Sequence, residues 1–282
     1  MTQSFIVACV QANSERDIEP NLNPVSDLVL QAREAGAEFI LLPENISMME
    51  PTRKGILEKA SPQSTHPALI HFRNLAEKTE AWLLVGSLAI QLSERQVANR
   101  SFLLNSKGGI VAHYDKIHMF DVDLEDGESY QESKIYRSGE QAVMADTPWG
   151  PVGLSICYDL RFPHLYRTLA QAGAKYLTVP SAFTRTTGKA HWHELIRSRA
   201  IENGAYLLAP AQCGTHAGNR QTFGHSLIVD PWGKVLADGD DEVGVVLAEI
   251  DPKKVDEARR KIPSLHHDKP FVLSSVPKSP KS

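Results

Sequence analysis

The sequence predicts an α/β protein, a four-layer α–β–β–α sandwich whose two halves are related by an internal pseudo-two-fold duplication. Three observations carry this. Phe39-Ile40-Leu41-Leu42 and Tyr176-Leu177-Thr178-Val179 are short, continuous apolar runs, the pattern of strands buried on both faces in parallel sheets. Amphipathic helices separate such runs. The order of signals also recurs: Ala35-Gly36-Ala37, strand 39–42 and Pro43-Glu44 in the first half, then Ala172-Gly173-Ala174, strand 176–179 and Pro180-Ser181 in the second. Two half-sheets with helices on one face must each cover the other face, and packing them together does so. A single doubly wound sheet satisfies the same periodicity and stays open at this point.

Taken in order, Ile6 to Val10 is a buried-type strand. Asn21–Ala35 is a helix with Leu22, Val25, Val29 and Ala32 on one face and Gly36 at its end. After strand 39–42, a second helix enters at Pro67 and runs to about Thr79. Strands follow at Trp82–Ser87, Ser101–Asn105 and Ile110–Tyr114, the last two joined by Lys107-Gly108-Gly109. Asp121–Ser138 is acidic and long for a loop. Val143–Asp146 and Val152–Ile156 form a hairpin, followed by helix 164–172, strand 176–179 and helix His191–Asn203. Strands near Tyr206–Ala209, His225–Val229 and Lys234–Ala237 echo 67–114, and Gly244–Ile250 is a last strand. Residues 1–251 read as one domain, and 252–282 as a charged helix with a Pro/Lys-rich tail, a candidate subunit contact.

Composition narrows the function. The chain has 282 residues, 42% apolar and 23% charged, with net charge −4 and both signs interspersed, which points to neither a nucleic-acid nor an anionic-membrane partner. No apolar run reaches bilayer length, and the first strand follows directly on a terminus without a basic flank or cleavage site. Three cysteines far apart suit a reducing, cytoplasmic setting.

In mostly parallel sheets, ligands gather at the carboxyl ends of strands. Glu44, Lys116 and Cys157 each stand just beyond such an end. Each alone reads as a solvated charge or a packed thiol; together they form a chemical set. A thiol needs a base or a cation to act as thiolate. Glu44 supplies the base if burial raises its pKa, Lys116 stabilises thiolate and oxyanion, and the Tyr158 N–H adds a second oxyanion donor.

Pro43-Glu44-Asn45, His113-Tyr114-Asp115-Lys116-Ile117-His118-Met119-Phe120 and Ile156-Cys157-Tyr158-Asp159-Leu160-Arg161-Phe162-Pro163 resemble the three motif blocks of the nitrilase superfamily of carbon–nitrogen hydrolases, in the family's order. The resemblance runs from Val7 to about Asp251. It implies the α–β–β–α sandwich, a Glu44–Lys116–Cys157 triad, no cofactor, and a homodimer or larger assembly. It also implies a second glutamate after the lysine, for which Glu132 in Gln131-Glu132-Ser133 is the candidate, with Glu125 and Glu128 as solvated loop charges. Thr187–His193, Arg197–Glu202 and Ala211–His216 resemble the nitrilase-like amidase branch, and Tyr158-Asp159 stands where true nitrilases tend to carry Trp-Glu. The implied reaction is amide hydrolysis through a thioester with release of ammonia. A deaminated-glutathione-like amide is expected ahead of a 2-oxo acid ω-amide, an N-carbamoyl compound or a nitrile. Arg161, Ser181, Ala182 and Phe183 are expected to line the pocket, with Arg161 either a carboxylate clamp or an ordinary ion-pair partner. Two departures from the branch bear on substrate and interface: Phe223 replaces a common tyrosine, and Leu265–Lys269 lacks an arginine pair.

Other constellations are weaker. His191-x-His193 and His266-His267 lack a partner at metal-ligand spacing, so no metal is expected, and Cys9 and Cys213 read as packed thiols. The competing class is a catalytically idle binding protein of the same fold, which has no need of all three triad residues.

Overall fold

The structure, a computed structural model, describes residues 3–123 and 129–274. The first half runs β1 (Phe5–Gln11), α1 (Ile18–Glu34), β2 (Phe39–Leu41), α2 (Arg53–Lys59), α3 (Pro67–Thr79), β3 (Trp82–Ser93), β4 (Gln96–Leu104) and β5 (Ile110–Asp115). A connecting segment holds the short hairpin β6 (Asp121–Asp123) and β7 (Ser129–Gln131). The second half runs β8 (Val143–Thr147), β9 (Gly150–Leu154), α4 (Pro163–Gln171), β10 (Tyr176–Thr178), α5 (Arg185–Asn203) and β11 (Tyr206–Ala209). The hairpin β12 (Cys213–Thr215) and β13 (Gln221–Phe223) follows, then β14 (Leu227–Val229), β15 (Val235–Asp238), β16 (Gly244–Ile250) and α6 (Lys253–Lys261).

Two six-stranded sheets result, ordered β16-β1-β2-β3-β4-β5 and β8-β9-β10-β11-β14-β15. In both, three parallel strands lie between antiparallel ones. The single doubly wound sheet is thereby excluded. The layers follow from side-chain alternation along β1. Val7 and Cys9 join the cluster containing Val152, Leu154 and Leu177 of the other sheet, whereas Ala8 and Val10 join Leu22, Val25 and Phe72 of the covering helices. Both faces of the strand are buried, which is why its sequence shows no polar alternation.

Most expected elements are present, with informative differences. Helix α1 starts at Ile18, carrying Pro20 in its first turn and Pro24 inside. Helix α5 starts at Arg185, six residues before the expected His191. Gly188 lies within it, where a Cβ would stand 2.3 Å from the Phe223 ring, so the glycine serves close packing. Helix α2 and the β12–β13 hairpin carry no signal that sequence reasoning used. Helix α6 is fastened by Arg259 to the carbonyls of Ala174, Asn203 and Gly204, and by Asp256 to Lys175. Beyond it, Asp268 pairs with Arg167 and accepts from Gln171, so the atypical Leu265–Lys269 stretch latches onto α4. No helix among the described residues is long and apolar enough to cross a membrane.

Candidate active site

Three strand ends converge on a cavity of about 530 Å³. Glu44 follows β2 and is held through its backbone: its carbonyl accepts from Gln212 Nε2 (3.0 Å), and the next N–H, of Asn45, donates to Ser87 Oγ (2.9 Å). Gly86 in β3 makes room, since a Cβ there would lie 2.0 Å from the Leu42 carbonyl oxygen and 2.3 Å from that of Pro43. Lys116 leaves β5 with its N–H on Asn99 O (3.0 Å) and its carbonyl on Gly139 N (2.8 Å).

Cys157 opens a 3₁₀ turn, Cys157–Arg161, after β9, with its N–H on Pro180 O (3.0 Å). Its φ of +48° is left-handed, a strained position for a side chain and one that lifts the thiol out of the strand. Asp159 bolts this turn to the lysine segment. It accepts from Ile156 N (2.9 Å), Tyr114 Oη (2.7 Å), His118 N (3.0 Å) and His118 Nδ1 (2.7 Å), and Tyr114 and His118 flank Lys116. Arg199 closes the far side with Nε and Nη2 on Leu160 O (3.0 and 2.7 Å).

The side chains meet out of water: Glu44 and Lys116 are 2% exposed and Cys157 7%. Lys116 Nζ donates to Glu44 Oε1 (2.9 Å) and to both oxygens of Glu132 (3.0 and 2.8 Å). Asn99 Nδ2 bridges the same carboxylates at 3.0 and 3.2 Å. Ala182 N donates to Glu44 Oε2 (2.9 Å) and Phe120 N to Glu132 Oε2 (2.7 Å). The Cys157 thiol faces the Glu44 carboxylate.

Burial pushes the Cys157 thiol up, the Glu44 carboxylate adds to this, and the opposing Lys116 field does not reverse it. The resting sulfur is therefore a neutral thiol. Glu44 departs from the expectation that burial would raise its pKa. Burial does push it up, but the Lys116 charge and hydrogen bond outweigh burial and hold the carboxyl below its usual range. Lys116 itself is pulled down by burial and carried well above its ordinary value by Glu132 and Glu44. An ionised base beside a neutral thiol means that proton transfer must accompany carbon–sulfur bond formation.

The cavity brings together Glu44, Lys116, Glu132, Cys157, Tyr158, Ala182 and Phe183. The Tyr158 N–H sits in the first turn of the 3₁₀ helix, where a backbone donor has no partner inside the helix. Two expected lining residues are elsewhere. Ser181 is buried with its hydroxyl on Val179 O (2.9 Å). The 3₁₀ turn carries Arg161 onto the rings of Phe183 and Tyr158 (5.2 and 5.9 Å) and to His191 Nδ1 (3.4 Å), outside the cavity lining. Phe223 stacks on His225 (4.4 Å between centroids), away from the lining. Glu125 and Glu128 lie outside the described residues. His193 joins His225 and Asp238, with Nε2–Oδ2 2.9 Å and Nδ1–Oδ1 2.8 Å, so one carboxylate takes both imidazoles in a cluster that sequence spacing did not show. Cys9 and Cys213 are buried free thiols.

Sequence reasoning missed Asn99, Tyr136 and Arg220 in or beside the cavity. Asn99-Arg100-Ser101 is a polar run inside the otherwise apolar β4, a signal that was available.

A duplicated two-sheet sandwich with a carboxylate, an ammonium and a thiol buried at one cavity is the arrangement of an amide-bond hydrolase. Residues 6–260 match the carbon-nitrogen hydrolase family, and the chain belongs to it, as a hydrolase of carbon–nitrogen bonds. A deaminated glutathione amidase of Synechocystis sp. is 38% identical over 268 residues, 93% of this chain and 97% of that protein. One from Homo sapiens is 38% identical over 276 residues, 96% of this chain and 84% of that protein. The crystal structure of the C. elegans NitFhit protein is similar with a TM-score of 0.88 and 36% identity, over 95% of this chain and 66% of that one.

Proposed function

We propose that this chain hydrolyses a small-molecule amide through a Cys157 thioester, with deaminated glutathione, N-(4-oxoglutaryl)-cysteinylglycine, as its substrate. The observation that carries the mechanism is the placement of Lys116 Nζ at 2.9 Å from Glu44 Oε1, with the Cys157 thiol facing that carboxylate. The names of the relatives support the substrate. Sγ attacks the amide carbonyl carbon as its proton passes to Glu44. Lys116 Nζ and the Tyr158 N–H hold the oxyanion. On collapse the C–N bond breaks and Glu44 returns its proton to the departing nitrogen, leaving a thioester. Glu44 then takes a proton from water, whose oxygen attacks the thioester carbon. The carboxylic acid departs and the proton returns to sulfur. With this substrate the departing amine is cysteinylglycine, so the ammonia expected from a primary amide is not the product to assay. Glu132 and Asn99 fix the orientation of Lys116.

The test is intact-mass detection of an acyl adduct during turnover. The wild-type chain is expected to carry an adduct on Cys157 and Cys157→Ala to fold without one; equal turnover by the variant removes Cys157 as nucleophile.

The free buried thiols support a reducing, cytoplasmic location. A homodimer or larger assembly is supported by Phe271, Val272 and Leu273, which are 93%, 91% and 95% exposed and apolar. Residues 1–251 with the docked α6 are read as one folding unit.

A further inference from the structure

We infer that Arg220 is the carboxylate-binding residue of this cavity, so that the preferred substrate is an amide bearing a carboxylate. The inference rests on the amidase reading and adds the residue that binds a carboxylate of the substrate.

Arg220 lines the cavity from the loop between β12 and β13. That loop is fixed: Arg220 O accepts from His216 N (2.8 Å), and the buried His216 ring is held between Ser14 O (2.9 Å) and Thr222 Oγ1 (2.7 Å). Gly218 and Asn219, both left-handed, turn the chain so that the arginine faces inward. Nη2 donates to Ala182 O (2.8 Å), and the guanidinium carbon sits 5.3 Å from the centre of the Tyr130 ring. The side chain is thus oriented before any ligand arrives.

What it lacks is an anion. Nε is buried and has no hydrogen-bond partner, and no ion pair involves Arg220 among the described residues. The other charges at the cavity wall are committed. Lys116 serves Glu44 and Glu132, and Glu50 is taken by Arg16 (2.7 Å) and Lys59 (2.7 Å). A buried donor left without an acceptor is costly, and a planar guanidinium with Nε–H free matches the paired oxygens of a carboxylate.

Its position also sets a distance. Ala182 donates its N–H to Glu44 and its carbonyl accepts from Arg220, so a single residue separates the anchor of the base from the anchor of the guanidinium. A carboxylate on Arg220 therefore lies only a few bonds from the carbonyl under attack. Arg161, the clamp expected from the sequence, lies outside the cavity lining. The bound carboxylate belongs either to the acyl half or to the amine half of the amide.

The experiment compares kcat/KM for matched pairs. Glutaramate against pentanamide places the charge in the acyl half; N-butyrylglycine against N-butyrylpropylamine places it in the amine half. The wild-type enzyme is expected to favour the anionic member of one pair about 10- to 100-fold, expressed in KM, and the favoured pair names the half. In Arg220→Met that ratio is expected to fall to near one, whatever the variant's absolute rate, and in Arg220→Lys to recover in part. Equal wild-type rates on both members of both pairs, or a ratio that survives Arg220→Met, overturns the inference. Calorimetric binding of both matched pairs to Cys157→Ala separates this from the amidase reading. Tighter binding of the anionic member of one pair, lost in Cys157→Ala/Arg220→Met, upholds the carboxylate site even if no amide is turned over. Equal binding within both pairs overturns it even if turnover is seen. Should Arg220→Met fail to fold, competition of wild-type turnover by pentanoate against 1-pentanol decides, since equal inhibition by the carboxylate and its neutral counterpart refutes the site.

Discussion

Replacing Lys116 by methionine keeps the shape of the buried side chain and removes the charge that two carboxylates share. Glu44 Oε1 and Glu132 Oε1 are bonded to the same Nζ at 2.9 and 3.0 Å, so they lie within about 6 Å of each other. At an effective dielectric constant of about 20, two negative charges at that distance repel by about 3 kcal/mol, equal to about two pKa units. Burial adds to this and Arg220 offsets part of it. The pair in Lys116→Met therefore retains one proton, shared under the bridging Asn99 amide, to about two units above the ordinary carboxylate value of 4.5. The sign of the linkage is then opposite in the two proteins. In the wild type, the lowered folded-state pKa of Glu44 gives stability that is present above the unfolded value and lost as pH falls through the folded one. In the variant, the raised folded-state pKa gives stability that is full at low pH and lost as pH rises from about 4.5 to about 6.5. The difference in unfolding free energy between variant and wild type should widen by about 1.4 kcal/mol per pH unit across that window, about 3 kcal/mol in all. Urea unfolding at half-unit pH steps reads it directly, and other titrating groups cancel between the two proteins. A difference that stays flat from pH 4.5 to 8 would show that Lys116 does not hold the charge of this pair, and the argument for Glu44 as a resting, ionised base would go with it.

Gly86→Ala should lower stability by about 1–3 kcal/mol by forcing β3 from the Leu42 and Pro43 carbonyls, and should reduce kcat by about 100-fold because Glu44 moves with them. Urea midpoints and single-turnover rates check this, and an unchanged kcat would mean that the strand end does not position the base. The full chain should sediment as a dimer or larger, and removal of residues 271–282 should weaken the assembly; a monomer at micromolar concentration would remove the reading of the exposed Phe271-Val272-Leu273 segment as a covered surface.

The sequence was informative where short-range pattern decides structure and silent where distant contacts do. Helix α3 is bounded as expected, from Pro67 to Thr79, because a proline in its first turn and a regular apolar stripe are local signals. The strand ends bearing Glu44, Lys116 and Cys157 were legible because apolar runs stop there. Arg220 was not, since its loop carries no pattern of its own and, apart from Ala217–Asn219, the residues that line the cavity with it lie more than thirty positions away. Arg161 drew attention through its nearness to Cys157 in the chain, yet a 3₁₀ turn rotates it onto the backs of Tyr158 and Phe183. The sign of the Glu44 shift was misjudged for a related reason: burial is readable from a sequence, whereas a 2.9 Å contact with a lysine 72 residues on is not.

The duplication explains why Ser181 stands beside the site without lining it. Val7 pairs with Phe39 as Val152 pairs with Tyr176, which makes Ala12 the counterpart of Cys157 and Ser181 the counterpart of Glu44. At these two pairs of positions each half supplies one reactive group, the base from the end of β2 and the nucleophile from beyond β9, and leaves its other equivalent position inert. The inert position still matters. Ser181 turns its hydroxyl to Val179, and its neighbour Ala182 offers an N–H to Glu44 across the two sheets. Base and nucleophile therefore belong to different sheets, and their alignment is set by the layer between them. A core substitution such as Leu154→Ala, which empties space between the sheets without touching the cavity, would let the halves shift and separate Glu44 from Cys157. In this architecture the catalytic distance is a property of the inter-sheet core.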